Sequence, residues 1–272
     1  MKRWFLLKLM FISFLTGGYL YLYRPVEIKH APPVVLGHGG MGVRHYHPIN
    51  SIASVEAAMS YPINGTELDI NISADGVLMA FHDQNLDHSS ECTGRIIEKP
   101  LEEIKTCRYK SWFGCTSEPI ASLHSVLDVG WKSGSVFSLD LKPDIDARGN
   151  HREAFVQAIK ETTDRYDRYQ FLIESRDIGL LNLLSEQKVR AKLFFYAQNT
   201  DLDIELALRN NLDGVSLNMA SITVELTQVK KTGLKVMLWG TGSVIENRKA
   251  ILLQPDFIQT DDIPSIIKIL RF

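Results

Sequence analysis

From residue 34 to the C-terminus, short apolar runs alternate with stretches whose apolar residues recur every three or four positions. The runs lie at 34–37, 66–72, 136–141, 170–173, 192–196, 214–217, 235–239 and 256–259. Helical spacing falls at 51–60, 122–129, 152–165, 178–186, 201–209, 222–231, 244–253 and 263–270. Apolar runs this short read as strands and a period near 3.6 reads as helix, so the pattern predicts eight strands, each followed by a helix. That is the pattern of an α/β fold, the (β/α)8 TIM barrel, whose sites lie at the carboxyl ends of the strands. The polar residues fall there: His38 ends the first strand, Glu67 and Asp69 the second, Asp140 and Lys142 the third, and Glu174 the fourth. Gln198 follows the fifth, Asn218 the sixth, Trp239 the seventh, and Thr260 with Asp261 the eighth. Glu174 and Trp239 are thereby candidates to line a pocket.

The densest chemistry lies in residues 65–83. Leu68, Ile70 and Ile72 alternate with Glu67, Asp69 and Asn71, a strand with one apolar and one polar face. Glu67 and Asp69 therefore point the same way, about 6.6 Å apart at a rise of about 3.3 Å per residue. Two carboxylates that close repel unless water screens them or a cation lies between them. Both readings stand at this point, an acidic solvated face or a cation site. Ala74-Asp75-Gly76 predicts a tight turn and residues 77–81 a returning strand, which brings His82 back over the carboxylates.

Composition narrows the picture. A chain of 272 residues that is 45% hydrophobic and 23% charged can bury one barrel-sized core. A net charge of −2 gives no nucleic-acid signal, and nothing in the sequence points to a protein partner. Lys2 and Arg3 precede a predominantly apolar and aromatic stretch from Trp4 to Tyr23. Its length suffices to cross a bilayer, which takes about 20 residues, with the basic end in the cytoplasm. A cleaved signal peptide competes, but no Ala-x-Ala site precedes Arg24, and Tyr19, Tyr21 and Tyr23 suit an interfacial aromatic belt. The expected organisation is a membrane anchor at 1–24, a linker at 25–33 and the barrel at 34–272, lying extracytoplasmically. Residues 84–120 fit none of the eight units and are expected as an insertion above the barrel mouth. They hold all three cysteines, Cys92, Cys107 and Cys115. One disulfide and one leftover thiol is the simplest arithmetic; Cys92 with Cys107 is preferred because they bracket one compact stretch. Paired zinc-ligand spacing is absent.

From about Val34 onward the chain resembles the glycerophosphodiester phosphodiesterase family. The motifs that carry this are Gly37-His38-Gly39-Gly40, Glu67-Leu68-Asp69 with Asp75-Gly76 and His82-Asp83, Leu139-Asp140-Leu141-Lys142, and Thr260-Asp261. The resemblance implies Glu67, Asp69 and Asp140 as ligands of a divalent metal, His38 and His82 for acid/base proton transfer, and Lys142 facing the substrate phosphate. Its implied substrates are small glycerophosphodiesters released from phospholipids. A set of carboxylate oxygens suits Mg²⁺ or Ca²⁺, and histidine can give and take a proton near neutral pH. Three departures stand out, the first being that the family's third metal ligand is a glutamate where this chain has the shorter Asp140. The family has His-Arg-Gly where this chain has His38-Gly39-Gly40, and Glu-Asn-Thr where it has Ile49-Asn50-Ser51. An arginine and a glutamate are thus both missing, as though one polar pair were lost together, and Arg44 is the candidate to supply the missing positive charge. Two other functions remain open: a phospholipase acting on intact lipid, and a non-catalytic barrel that binds a phosphate-bearing ligand.

Overall fold

The computed structural model describes residues 22–28, 31–111, 114–142, 150–198, 201–222 and 224–271. Eight parallel strands form its frame: β1 (Val34–Gly37), β2 (Gly65–Ile72), β3 (Val136–Leu141), β4 (Gln170–Ser175), β5 (Lys192–Tyr196), β6 (Gly214–Asn218), β7 (Lys235–Thr241) and β8 (Phe257–Thr260). Each pairs with the next, and β1 pairs with β8 (Gly37 opposite Thr260) as well as with β2 (Gly37 opposite Thr66), so the sheet closes into a barrel. The strands and helices fall at or within a few residues of the expected positions. The largest shift is the helix expected at 222–231, which starts at Leu226 because Asn218 first caps a 3₁₀ turn over Met219–Ser221.

Alternation along the strands sorts the side chains into an inside and an outside. Leu36, Val136, Leu172, Phe194, Met237 and Phe257 form an apolar cluster inside the barrel. Gly214 makes room for it, since a Cβ there would lie 2.4 Å from Cε1 of Phe194. The outward residues of the same strands, among them Val35, Leu68, Ile70, Leu139 and Ile173, join the larger core under the helices. Every residue of β2 is buried, so its polar face is not a solvated one: Glu67 and Asp69 point into the barrel. Ser51, Ser122, Asp177, Ser243 and Asp262 each accept a backbone N–H from the first turn of the next helix, a cap worth about 1 kcal/mol.

Beyond the barrel rim β2 turns back on itself. Ile70, Asn71 and Ile72 pair antiparallel with Ala80, Met79 and Leu78, and Gly76 takes φ 81° in the turn. The returning strand and the inserted segment share a small core of their own, including Met79, Phe81, Leu86, Ile104 and Tyr109. A disulfide joins Cys92 to Cys107, the expected pair. The expected membrane anchor falls, from residue 1 to 21, outside the described residues; among the described residues no helix is long and apolar enough to cross a membrane. Val26 and Ile28 of the expected linker pack on the main core, with the Val26 N–H donating to the Ile269 carbonyl.

Candidate active site

Barrel closure brings His38, at the end of β1, next to residues from both neighbouring strands. Its Nδ1 lies 2.7 Å from Asp261 Oδ1 and its Nε2 lies 3.8 Å from Glu67 Oε2. Asp261 also accepts the Val43 N–H at 3.0 Å, which ties the loop after β1 to the end of β8. Burial disfavours the imidazolium, but the Asp261 hydrogen bond and the charges of Glu67, Asp261 and Asp69 outweigh it and push the His38 pKa up to about 10.

Glu67 and Asp69 are each only 2% exposed. Glu67 Oε2 accepts the Gly39 N–H at 3.1 Å. Burial, together with the charge on Asp69, pushes the Glu67 carboxyl well above the usual range. Burial also works against ionising Asp69, yet the charges of Lys142, His82 and His38 and the Asn50 amide prevail and hold it low. Asn50 grips Asp69 twice: its Nδ2 donates to Oδ2 at 2.8 Å, and its Oδ1 accepts the Asp69 N–H at 3.0 Å. Asp140 lies opposite Asp69 in the β2–β3 register, and Lys142 spans the two, 2.5 Å from Asp140 Oδ2 and 3.1 Å from Asp69 Oδ1.

His82 arrives from the hairpin side. The Phe81 N–H donates to the Asp69 carbonyl at 2.9 Å, and Asn71 Nδ2 donates to the Phe81 carbonyl at 2.7 Å. His82 Nδ1 lies 2.9 Å from Asp83 Oδ1, and the Ser89 hydroxyl donates to the other oxygen of Asp83. With Nδ1 engaged, Nε2 is the nitrogen left to act on a ligand. Two cavities meet at this residue. One, of about 600 Å³, is walled mainly by apolar groups, including Val43, Pro48, Ile49, Phe81 and Tyr109, with His38 beside them. The other, of about 960 Å³, contains Asp140, Lys142 and Arg176.

His38, Glu67, Asp69, Asp140, Lys142 and His82 thus gather at one mouth. Ligand atoms of His38, Glu67 and Asp69 lie within 4.8 Å of one another, close enough to share a metal ion. The donor set fits a hard divalent cation, because two buried carboxylates of like charge need a positive charge between them and offer only oxygen. Three other expected residues lie outside this cluster. Glu174 does not line the mouth: it is 1% exposed inside the barrel, accepting from Ser138 Oγ at 2.5 Å and from Gln259 Nε2. Burial, with the charge of Asp140, pushes its pKa up to about 7. Trp239 rests against Tyr196, ring centroids 5.2 Å apart. The Arg44 guanidinium lies against Gly242 and adds a small part to the His38 hydrogen bond and charge that hold the Asp261 pKa low against burial, so it stands on the β7–β8 side of His38.

Asn50 and Asp261 were invisible as partners in the sequence, because their contacts cross 19 and 223 residues of chain. The departures at Gly39 and Ile49 are neighbours. A Cβ on Gly39 would lie 2.4 Å from Cβ of Ile49. Gly39 has φ 55°, a region that favours glycine.

The profile of the glycerophosphoryl diester phosphodiesterase family matches residues 41–265. A glycerophosphodiester phosphodiesterase of Caldanaerobacter subterraneus subsp. tengcongensis is 26% identical over 232 residues, spanning 82% of this chain and 93% of that protein. Among solved structures, an Oleispira antarctica phosphodiesterase in complex with the product sn-glycerol-3-phosphate superposes with TM-score 0.77 at 20% identity, over 89% of this chain and 98% of that one. A Silicibacter pomeroyi protein described as a glycerophosphoryl diester phosphodiesterase gives TM-score 0.76 at 20% identity, over 93% and 96%. The barrel with its site residues and the match over most of its length lead to one conclusion: the chain belongs to the glycerophosphoryl diester phosphodiesterase family and is a phosphoric diester hydrolase.

Proposed function

We propose that the protein hydrolyses small glycerophosphodiesters to an alcohol and glycerol phosphate, in a reaction that depends on a divalent metal. The observation that carries this reading is the His38, Glu67 and Asp69 cluster, facing His82 across the mouth. Glu67 and Asp69, with Asp140 beside them, would hold Mg²⁺ or Ca²⁺, which would offset negative charge on the phosphoryl oxygens. The chain's own groups do the rest. Lys142, kept cationic by Asp140 and Asp69, faces the phosphate. His38, loaded with a proton by its acidic surroundings, gives that proton to the departing oxygen. His82, its Nδ1 held by Asp83, takes a proton at Nε2 from the attacking water, whose oxygen bonds to phosphorus as the bond to the departing alcohol oxygen breaks. Arg44, beside Asp261, adds positive charge on the β7–β8 side of the mouth.

We further propose that residues 1–24 anchor the barrel on the extracytoplasmic side of a membrane. The Cys92–Cys107 disulfide supports an oxidising compartment. A second reading, cleavage of a substrate that carries an acyl chain, is favoured by the apolar walls of the cavity at His38 and by Val43 and Tyr46, 55% and 79% exposed in the adjoining loop.

Detergent-solubilised full-length protein tests both readings on glycerophosphocholine and lysophosphatidylcholine, with Mg²⁺, with Ca²⁺ and with excess chelator. Metal-dependent turnover of the first is the expected result, and preferential turnover of the second would move the assignment to lipid. Turnover of neither would leave a phosphate-binding barrel, and full activity in chelator would remove the metal.

A further inference from the structure

One cation at the mouth is not absorbed by the reaction above. In the β3–β4 register Asp140 lies opposite Glu174, so Lys142 and Arg176, each two residues further on, stand at the same height on neighbouring strands. Backbones in that relation are about 4.8 Å apart. The two cations differ in what surrounds them. Lys142 is engaged by Asp140 and Asp69. Among the described residues no carboxylate pairs with Arg176; its neighbour Asp177 is taken by Arg152 and by the Leu180 N–H, the latter at 3.0 Å.

Arg176 is also positioned. Its guanidinium lies over the Tyr196 ring, 4.2 Å from the centroid, and Tyr196 is backed by Trp239. That contact draws the side chain toward β5 and away from β2, where Glu67, Asp69 and the histidines stand. It therefore meets a group some distance along the substrate from the reacting phosphorus. The cavity of about 960 Å³ that holds Lys142, Asp140 and His82 extends to Arg176 and offers the path for that arm.

We propose that Arg176 selects the substrate's alcohol arm by charge, receiving a carboxylate or phosphate carried on it. This rests on the phosphodiesterase reading for its substrate and on the mouth geometry for its residue. A planar guanidinium takes two anion oxygens at once, and with five N–H donors it keeps some for an anion beside its contacts with the Tyr196 ring and hydroxyl.

The test uses two pairs of diesters that differ by one anion: glycerophosphoserine against glycerophosphoethanolamine, and glycerophosphoinositol 4-phosphate against glycerophosphoinositol. The wild-type protein is expected to show the higher kcat/KM for the anionic member of each pair. Arg176→Ala should cut that preference by about 10- to 100-fold, the size of one lost charge-assisted contact, and mainly through KM. Arg176→Lys should restore part of it, and Arg176→Glu should reverse it. An equal fall on all four diesters would place Arg176 on the reacting phosphate or in support of the fold, and overturn the proposal. No change would leave it a brace for Tyr196, and overturn it equally. Calorimetric titration of the same diesters into His82→Ala protein, with and without Arg176→Ala, reads binding without turnover. Selective loss of the anionic members there upholds the proposal even if the wild-type protein hydrolyses none of them, which would sink the phosphodiesterase reading alone. Binding that ignores the anion would sink the proposal.

Discussion

At the scale of single residues, the site is a place where charge is held under tension. Glu67 is a buried carboxyl that burial and Asp69 both push toward the neutral form, so its ionised state opposes folding until a cation arrives. Glu67→Gln, which retains an oxygen for the Gly39 N–H, should raise the melting temperature in chelator at pH 8 by about 3–6 °C, at about 2–4 °C per kcal/mol in a protein this size. The same variant should lose the further rise that Mg²⁺ or Ca²⁺ is expected to give the wild-type protein; thermal unfolding with and without metal measures both. His38 shows the opposite sign. Its pKa rises from about 6.5 unfolded to about 10 folded, so the protonated ring stabilises the metal-free fold fully below pH 6.5 and that contribution disappears as pH climbs to 10. Melting curves in chelator from pH 6 to 10 should therefore fall steeply for the wild-type protein and less so for Asp261→Asn, which removes the hydrogen-bonding anion. In the metal-loaded enzyme, Asp261→Asn should lower kcat/KM by about 10²-fold and move the alkaline limb of its pH profile downward.

At the scale of elements, the loop after β1 explains how this chain departs from its family. Gly39 at φ 55° lies against Ile49, and beneath them the Gly39 N–H reaches Glu67. A side chain at position 39 meets both a backbone cost of about 1 kcal/mol and the Ile49 side chain. Gly39→Arg alone is expected to lower the melting temperature and metal affinity together, while Gly39→Arg with Ile49→Glu should recover part of both. Equal behaviour of the single and double variants in a thermal shift assay would separate the two positions. These elements were legible to different degrees. The helix at Ile178–Glu186 and the strand at Lys192–Tyr196 stand where periodicity put them, because each repeat is local. The late start of the helix at Leu226–Lys231 was not, because Asn218 spends its side chain on a 3₁₀ turn that has no period of its own.

At the scale of the whole molecule, the barrel presents its chemistry at one end, and the expected anchor would fix how that end meets a membrane. The proposed topology places everything after Arg24 outside the cytoplasm. Alkaline phosphatase fused after Phe272 should be active and green fluorescent protein in its place dark. The reverse pair of results would refute the orientation.

The sequence by itself determined the alternation of strands and helices, and that Glu67 shares one face of its strand with Asp69 as Asp140 does with Lys142. All of these follow from spacings of two or of three to four residues that survive in any context. Only tertiary structure decided that the acidic face is buried, that Asp261 charges His38, that Asn50 clamps Asp69, that Glu174 turns to Ser138 and Gln259, and that Arg176 stands beside Lys142. Those relations exist because the first strand closes against the eighth and each strand takes one register on its neighbour. That choice is set by packing the whole interior at once, and no local stretch of sequence carries it.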